Sequence, residues 1–334
     1  LACSAWLPMR AVLAHAGRLL LTEQPLPRTS TAQALVRVHA SALNRADTLQ
    51  RRGKYDPPPG ETSILGLEAA GHVHGSDRRV MALLAGGGYA EYVAVHKALL
   101  MDIPPNLTLE QAAAIPETWL TAYQLLFIVA GAQPRERVLI HACASAVGLA
   151  ATQLAVGHGL EVYGTASAGK LKACLSRGAR AVFDYKTQAG FKEQLLEATG
   201  GEGVDIILDC VGGSHAAQSA RVLRQDGRWV VYGLMGGAKL PADVPVLSML
   251  LSKRASLLTS TLRSRTVAYK AELTRRFAEH ALPRFSSGEY EPVIDSLFAL
   301  DAVEAAHARM ERNENVGKII LCVSRDETMH SLRL

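Results

Sequence analysis

The most informative stretch of the chain is Glu136-Arg-Val-Leu-Ile-His-Ala-Cys-Ala-Ser-Ala-Val-Gly148. A charged lead-in meets a short apolar run, Val138–Ile140, which reads as a buried parallel strand. A small-residue turn then opens a helix over Val147–Val156, with Leu149, Thr152, Gln153 and Leu154 inside it. Strand, tight turn and helix form the first half of a dinucleotide-binding unit, where the helix N-terminus offers unpaired N–H groups to a pyrophosphate. Gly148 is present, but Cys143 and Ala146 stand where that motif has glycine. On its own the turn is equally the corner of an α/β protein with no ligand.

What surrounds this stretch sets the fold class. Before it, from about Arg10 to Leu100, the chain is strand-like and rich in turns. Ala34–Ala40 alternates with period two, Gly71–His74 and Arg79–Leu84 are two further strands, and Tyr89–Val95 alternates again after Gly86-Gly-Gly88. Tyr55-Asp-Pro-Pro-Pro-Gly60 is loop, since proline neither donates to a sheet nor continues a helix. This is the pattern of a compact β-barrel. Beyond Pro104 helices are predicted over Thr108–Ala114 and Thr118–Ala130. Strands follow at Val138–Ile140, Glu161–Gly164, Ala181–Phe183, Asp205–Cys210 and Arg228–Tyr232, with helices centred near Leu154, Lys172, Leu195 and Ala220. That alternation calls for a parallel sheet covered on both faces. A last strand is expected at Ser256–Thr259. The tail from Thr266 returns to helix and ends in Val316–Cys322, which can close back on the N-terminal strands.

Composition excludes several classes. The net charge of +5 is scattered, with no basic block or interleaved aromatics to bind nucleic acid. No apolar run reaches about 18 residues, so a membrane span is not expected. The five cysteines (Cys3, Cys143, Cys174, Cys210, Cys322) are far apart and odd in number, which fits reduced thiols and a cytoplasmic location. Residues Leu1–Pro8 read as an extension upstream of a natural start at Met9.

The second βα turn bears on which nucleotide binds. An NAD-preferring fold places an acid after the second strand. Here the chain reads Thr165-Ala-Ser-Ala-Gly-Lys170, with a hydroxyl and an ammonium one turn apart, which suits the 2′-phosphate of NADPH. The plainer reading makes Ser167 a helix cap and Lys170 a solvated side chain. Tyr185, after the third strand, can lie against an adenosine or simply occupy a loop. Cys210-Val-Gly-Gly213 and Tyr232-Gly-Leu-Met-Gly-Gly237 end the fourth and fifth strands, where glycine lets a cofactor approach the backbone. His72 and His74 alternate on a strand, one expected to point inward and one to solvent, and no spaced set of ligands completes a metal site.

With these residues assembled, the chain resembles the quinone oxidoreductase (zeta-crystallin-like) branch of the medium-chain dehydrogenases/reductases. The likeness covers nearly the whole chain from Met9. It is carried by Ala42–Asp47, Tyr55–Gly60, Ile64–Glu68, Gln111–Ala122, Asp226–Gly237, Thr259–Arg265 and Asn315–Lys318. The resemblance implies an α/β protein with a GroES-like β-barrel catalytic domain and a Rossmann doubly wound parallel sheet. Its domains would span 9–115, 116–258 and a return over 259–334. It implies NADPH as cofactor, a small-molecule quinone substrate, a homodimer joined through Rossmann edges, and no nucleic-acid or membrane partner. Asn44 and Leu67 match the positions of zinc ligands in metal-bearing relatives, so no catalytic zinc is expected. By the same match Asn44, Tyr55 and Thr121 border the nicotinamide. Ser145, Gly148, Ser167, Lys170, Tyr185, Gly233, Leu234, Met235, Leu262 and Asn315 line the rest of the cofactor.

Asn44 and Tyr55 are the catalytic candidates, with Tyr55 as a candidate proton donor and Leu67, Met235 and Leu262 as walls. Three departures stand out. Cys143 and Ala146 add a thiol and a methyl beside the pyrophosphate, His72–Arg79 is about ten residues shorter than in relatives, and the strand pair near Arg18 is also shortened. The expectation is a zinc-independent NADPH-dependent reductase of quinones, with reactive enones as further substrates. A non-catalytic NADPH-binding or sensor protein, and an inactive paralogue or splice form, are the alternatives.

Overall fold

The computed structural model describes residues 8–187, 190–240 and 242–324. Contacts divide the chain into two units: one runs to Glu117 and resumes at Arg263, and the other spans Thr118–Leu262.

The first unit opens with a hairpin, β1 (Pro8–His15) on β2 (Arg18–Pro25). Its turn, Ala16-Gly17, has positive φ at both residues, the geometry that matches strand twist in a two-residue loop. Pro8 pairs with Pro25, so it belongs to the fold rather than to an extension, while 1–7 lie outside the described residues. There follow β3 (Gln33–Ala42), α1 (Arg45–Arg51), β4 (Glu68–Val73), β5 (Arg79–Leu83), β6 (Tyr92–His96), β7 (Leu100–Asp102) and α2 (Leu109–Ala113). The strand expected from Tyr89 begins only at Tyr92. Tyr89–Glu91 instead cross close over Gly66, where a Cβ would stand 2.6 Å from the Tyr89 nitrogen, and Ala90 bridges to Ala11. Nor do His72 and His74 divide between inside and outside. β4 ends at Val73, His72 is half-buried, and His74 is exposed with its ring edge-on to Tyr92 at 5.6 Å.

α3 (Pro116–Tyr123) passes into a π-turn over Gln124–Val129, where the Ala130 N–H reaches back to the Leu125 carbonyl. The helix expected over Thr118–Ala130 therefore changes pitch midway. The second unit then alternates β8 (Arg137–Ile140), α4 (Ala146–Gly157), β9 (Glu161–Ala166), α5 (Leu171–Leu175), β10 (Ala181–Asp184), α6 (Lys192–Ala198), β11 (Val204–Asp209), α7 (Gly213–Val222), β12 (Leu223–Val231), α8 (Val246–Ser252) and β13 (Ser256–Thr259). All pairs are parallel, in the order β10-β9-β8-β11-β12-β13. Val138–Ile140 and Ile206–Leu208 are fully buried, as strands covered on both faces must be. Strand order reverses between β8 and β11, and in such sheets the crevice beyond the strand ends at that point takes the ligand. β12 begins at Leu223, ahead of the expected Arg228 and directly where α7 stops, with Asp226 at φ +58 inside it.

The chain then returns to the first unit through α9 (Val267–Ser286), β14 (Ile294–Ala299), α10 (Val303–Glu311) and β15 (Lys318–Cys322). Thr266 caps α9 by accepting the Tyr269 N–H at 3.2 Å. The sheet runs β14-β15-β3-β4-β5-β7 with β6 also on β3, around a core that includes Val36, Val38, Leu65, Val80 and Leu321. β15 lies antiparallel to β3, so the tail does close onto the N-terminal strands.

Candidate functional site

The turn between β8 and α4 is built from backbone outward. The Cys143 N–H bonds the Thr165 carbonyl at 2.9 Å, tying the turn to the end of β9. Ser145 caps α4, its hydroxyl accepting the Gly148 N–H at 3.1 Å. A Cβ on Gly148 would meet the Cys143 carbonyl at 2.5 Å, so the glycine retained here is the one the packing demands. The thiol of Cys143 does not crowd the outside of the turn. It is fully buried and packs on Gly164, where an added Cβ would lie 2.7 Å from it. The thiol expected beside the pyrophosphate therefore turns inward instead, because β9 carries a glycine that receives it. Ala146 is the first residue of α4 and only half-buried, so its methyl sits at the helix mouth.

Ala142 holds φ +49, a left-handed conformation that costs a residue with a Cβ. Ala142→Gly is expected to stabilise the protein by about 1 kcal/mol, a midpoint rise of roughly 2–4 °C in thermal unfolding. An unchanged or lowered midpoint would count against strain at this turn.

Beyond β9, Ser167 precedes a short 3₁₀ turn, Ala168–Lys170. Its carbonyl accepts the Lys170 N–H at 2.9 Å, but its hydroxyl makes no capping bond. The plainer reading of Ser167 as a side-chain cap is thus not what the turn shows. Both side chains are half-buried on one turn at the end of the second strand, where no carboxylate stands. Tyr185 follows β10, exposed, its ring 5.5 Å from that of His215.

The glycine pairs after β11 and β12 serve each other. The Gly213 N–H bonds the Gly237 carbonyl at 2.8 Å and the Gly236 N–H bonds the Val211 carbonyl at 2.7 Å. Cβ atoms on Gly213 and Gly236 would run into atoms of the opposite turn, far inside contact distance. Packing of turn on turn is what these glycines visibly do, while Gly233 closes against Cys210 and Leu234 and Met235 project outward. Sequence reading missed the residue that shapes this corner. Buried Asp209 accepts the N–H groups of Val211 (2.7 Å) and Gly212 (2.9 Å) on one oxygen and the Trp229 indole (2.9 Å) on the other. Thr121 and Leu262 are buried in the same unit.

His141, at the head of the turn, is fully buried between the hydroxyls of Thr165 and Ser219, each 3.0 Å away. Burial pushes its imidazole from 6.5 down to about 4, with the Asp209 carboxylate opposing the shift. Above pH 6.5 neither folded nor unfolded chain protonates it. Between 6.5 and 4 only the unfolded chain takes the proton, so stability falls as pH falls. We expect a loss of about 3 kcal/mol across that window from this group. Urea unfolding of His141→Gln should show a shallower acid slope than the unsubstituted protein, and an identical slope would contradict the assignment.

In the first unit, Asn44 precedes α1 and lies in a buried polar cluster. Lys318 Nζ donates to Asn44 Oδ1 (2.5 Å) and pairs with Glu68 Oε1 (2.6 Å), while Asn44 Nδ2 donates to the same Glu68 oxygen at 2.9 Å. The other Glu68 oxygen accepts the Glu117 N–H at 2.9 Å. Lys318 is 2% exposed and Glu68 0%. Below them Asp47 accepts N–H bonds from Asn44 (2.8 Å) and Gly66 (3.2 Å) and the Tyr89 hydroxyl (3.1 Å). Burial lifts its carboxyl to about 6 against those bonds. The Asn44 amide is thus oriented by a buried ion pair that sequence spacing did not reveal. Tyr55 lies half-buried beneath the Arg263 guanidinium, 5.2 Å from its ring centre. Burial raises its phenol, which keeps the proton on at neutral pH. Asn315 bonds the Gly317 carbonyl at 2.8 Å in the turn that leads to β15.

Leu67 is buried and Asn44 is committed to Glu68 and Lys318, so these positions offer an alkyl chain and an occupied amide. Among the described residues no three His, Cys, Asp or Glu side chains gather as metal ligands. This donor set does not fit a zinc ion. No helix among the described residues is long and apolar enough to cross a membrane.

Comparison with known proteins agrees with this architecture. Residues 146–279 match the family described as zinc-binding dehydrogenase, and residues 30–105 match the alcohol dehydrogenase GroES-like domain. The synaptic vesicle membrane protein VAT-1 homolog of Rattus norvegicus is 33% identical over 319 residues, covering 88% of this chain and 78% of its own. The quinone oxidoreductase of Rattus norvegicus is 30% identical over 316 residues, covering 90% of this chain and 92% of its own. Among solved structures, the quinone oxidoreductase from Thermus thermophilus, determined also in complex with NADPH, superposes with a TM-score of 0.81. It is 32% identical and covers 95% of this chain and 100% of its own. A GroES-like unit, a parallel sheet of dinucleotide-binding order and quinone oxidoreductases among its relatives lead to one assignment: the chain belongs to the medium-chain dehydrogenase/reductase superfamily.

Proposed function

We propose that this protein is a zinc-independent, NADPH-dependent reductase of quinones and reactive enones, of the type of the tumour-suppressor-inducible quinone oxidoreductase. The observation that carries the reading is the Ser167–Lys170 turn, where a hydroxyl outside the capping pattern and an ammonium share the end of the second strand. That pairing suits a 2′-phosphate, and the absence of a carboxylate there removes the usual ribose acceptor of an NAD fold. The Ser145–Gly148 end of α4 would bind the pyrophosphate through backbone N–H groups, Gly148 keeping the approach open. Tyr185 would stack on the adenosine, and Gly233, Leu234 and Met235 would border the remainder together with Thr121 and Leu262.

When bound, the nicotinamide supplies the hydride. Asn44 would act by position, its amide held by Glu68 and Lys318. Tyr55 would serve as a hydrogen-bond donor, since its raised phenol opposes ionisation. A hydroquinone anion can take its second proton from water, so the protein's task is positioning and exclusion of solvent. Mixing the protein with NADPH and an ortho-quinone, and following absorbance of the reduced coenzyme, tests this. Consumption that is far slower with NADH is expected, and no consumption with either would overturn the activity.

The same reading includes a homodimer through the edge of the parallel sheet. β13 is one of the two edge strands, with Leu257 exposed, and α8 beside it in sequence leaves Leu247 70% and Leu251 81% exposed. Apolar side chains this open mark a covered face. Leu247→Glu/Leu251→Glu should shift the mass measured by light scattering from dimer to monomer. An unsubstituted protein that is already monomeric at micromolar concentration would exclude this interface.

A further inference from the structure

We propose that Arg263 is the positioning residue for Tyr55, fastening the proline-rich loop that carries this tyrosine and laying its cation on the face of the ring. The run Tyr55-Asp-Pro-Pro-Pro-Gly60 is poorly equipped to fasten itself, because its three prolines have no N–H to give. Arg263 supplies donors instead. The chain re-enters the first unit at this residue, which is only 6% exposed. Its Nη1 donates to the Tyr55 carbonyl at 3.3 Å, Nη2 to Gln50 Oε1 at 2.7 Å and Nε to the Ala85 carbonyl at 2.8 Å. Gln50, in α1, extends the tether by donating its Nε2 to the Ser63 carbonyl at 3.0 Å. One side chain thereby ties the last turn of α1, the segment beyond β5 and both sides of the proline run.

The same side chain acts on the ring. The guanidinium carbon stands 5.2 Å from the centre of the Tyr55 ring, within cation–π range. A positive charge there opposes the burial that raises the phenol, so the hydroxyl keeps its proton but donates a stronger hydrogen bond. Such a donor gains most against an oxygen on which negative charge gathers, as on a quinone receiving hydride. Arg263 is itself fixed from behind: Lys270 in α9, 5% exposed, donates its Nζ to the Arg263 carbonyl at 2.6 Å. Lysine at 263 would carry the charge without the planar fork that reaches three acceptors at once. The effect on the reaction rests on the role proposed above for Tyr55, whereas the hold on the ring does not.

A double-mutant cycle on the full chain tests this, with NADPH and an ortho-quinone as substrates. Arg263→Met and Tyr55→Phe should each lower kcat about tenfold with little change in KM for the quinone, and the double variant should lose no more than either. A double variant about a hundredfold down, the product of two independent losses, would overturn the proposal, since Arg263 would then serve the fold alone. So would an Arg263→Met protein with full turnover beside an impaired Tyr55→Phe. If Arg263→Met fails to fold, Gln50→Leu takes its place, removing one acceptor and keeping the cation. Its loss of about threefold should likewise vanish in the Tyr55→Phe background. A second readout needs no activity. With 3-fluorotyrosine incorporated, the Tyr55 fluorine resonance is identified by its loss in Tyr55→Phe, and it should shift and narrow in Arg263→Met. An unmoved resonance would overturn the hold on the ring, whether or not the protein reduces quinones. Full turnover in Tyr55→Phe together with a shifted resonance would remove the donor role of Tyr55 and leave the contact standing.

Discussion

Replacing Lys318 by Met is expected to cost roughly 3–5 kcal/mol of folding stability, the loss typical when one partner of a buried ion pair is removed. Glu68 would then keep a buried carboxylate with only the Asn44 amide and the Glu117 N–H to satisfy it. The double variant Glu68→Met/Lys318→Met removes both charges and should recover most of the loss, since apolar replacement of a whole buried pair is often neutral. Urea unfolding of the three proteins checks this. A single variant within about 1 kcal/mol of the unsubstituted protein would mean that the cluster is not the closed, dry arrangement described here. The pair also orients Asn44, so Lys318→Met should lower turnover more than it raises KM for the quinone.

Lys170→Ala should weaken NADPH about 30-fold, near 2 kcal/mol for a lost charge-assisted bond, and leave NADH unchanged. Lys170→Arg, which keeps the charge, should retain most of the preference. Titration calorimetry with both coenzymes decides the point. Equal losses for NADPH and NADH would place the lysine's effect on the fold of the turn rather than on a phosphate.

The alternation of strand and helix was readable because buried parallel strands leave short apolar runs such as Val138–Ile140, and their order then follows from right-handed crossovers. Boundaries failed where the backbone bends for tertiary reasons. Tyr89–Glu91 alternate like a strand but bond to Arg10 and Val12 of β1 instead of lengthening β6, and Leu223 continues a helical pattern although β12 already begins at it. Of the proposed site, Gly148, Ser167 and Lys170 stand out as residue types at turns, while Ser145 is marked only by the family resemblance. Side-chain direction is not legible in this way. Nothing in the spacing says that Cys143 turns inward onto Gly164, that Asp209 organises the corner after β11, or that Lys318 meets Glu68 from the far end of the chain. The last of these depends on the closure of β15 onto β3, a long-range contact that no local pattern encodes.

The most direct measurement is the thermal unfolding midpoint with saturating NADPH and, separately, saturating NADH. A ligand bound only by the folded state at about a hundred times its Kd adds about 2.7 kcal/mol, enough for a midpoint shift of several degrees. That shift is expected for NADPH, with a much smaller one for NADH at equal concentration. An unmoved midpoint with NADPH, or an equal shift with both, would contradict the claim that the Ser167–Lys170 turn receives a 2′-phosphate.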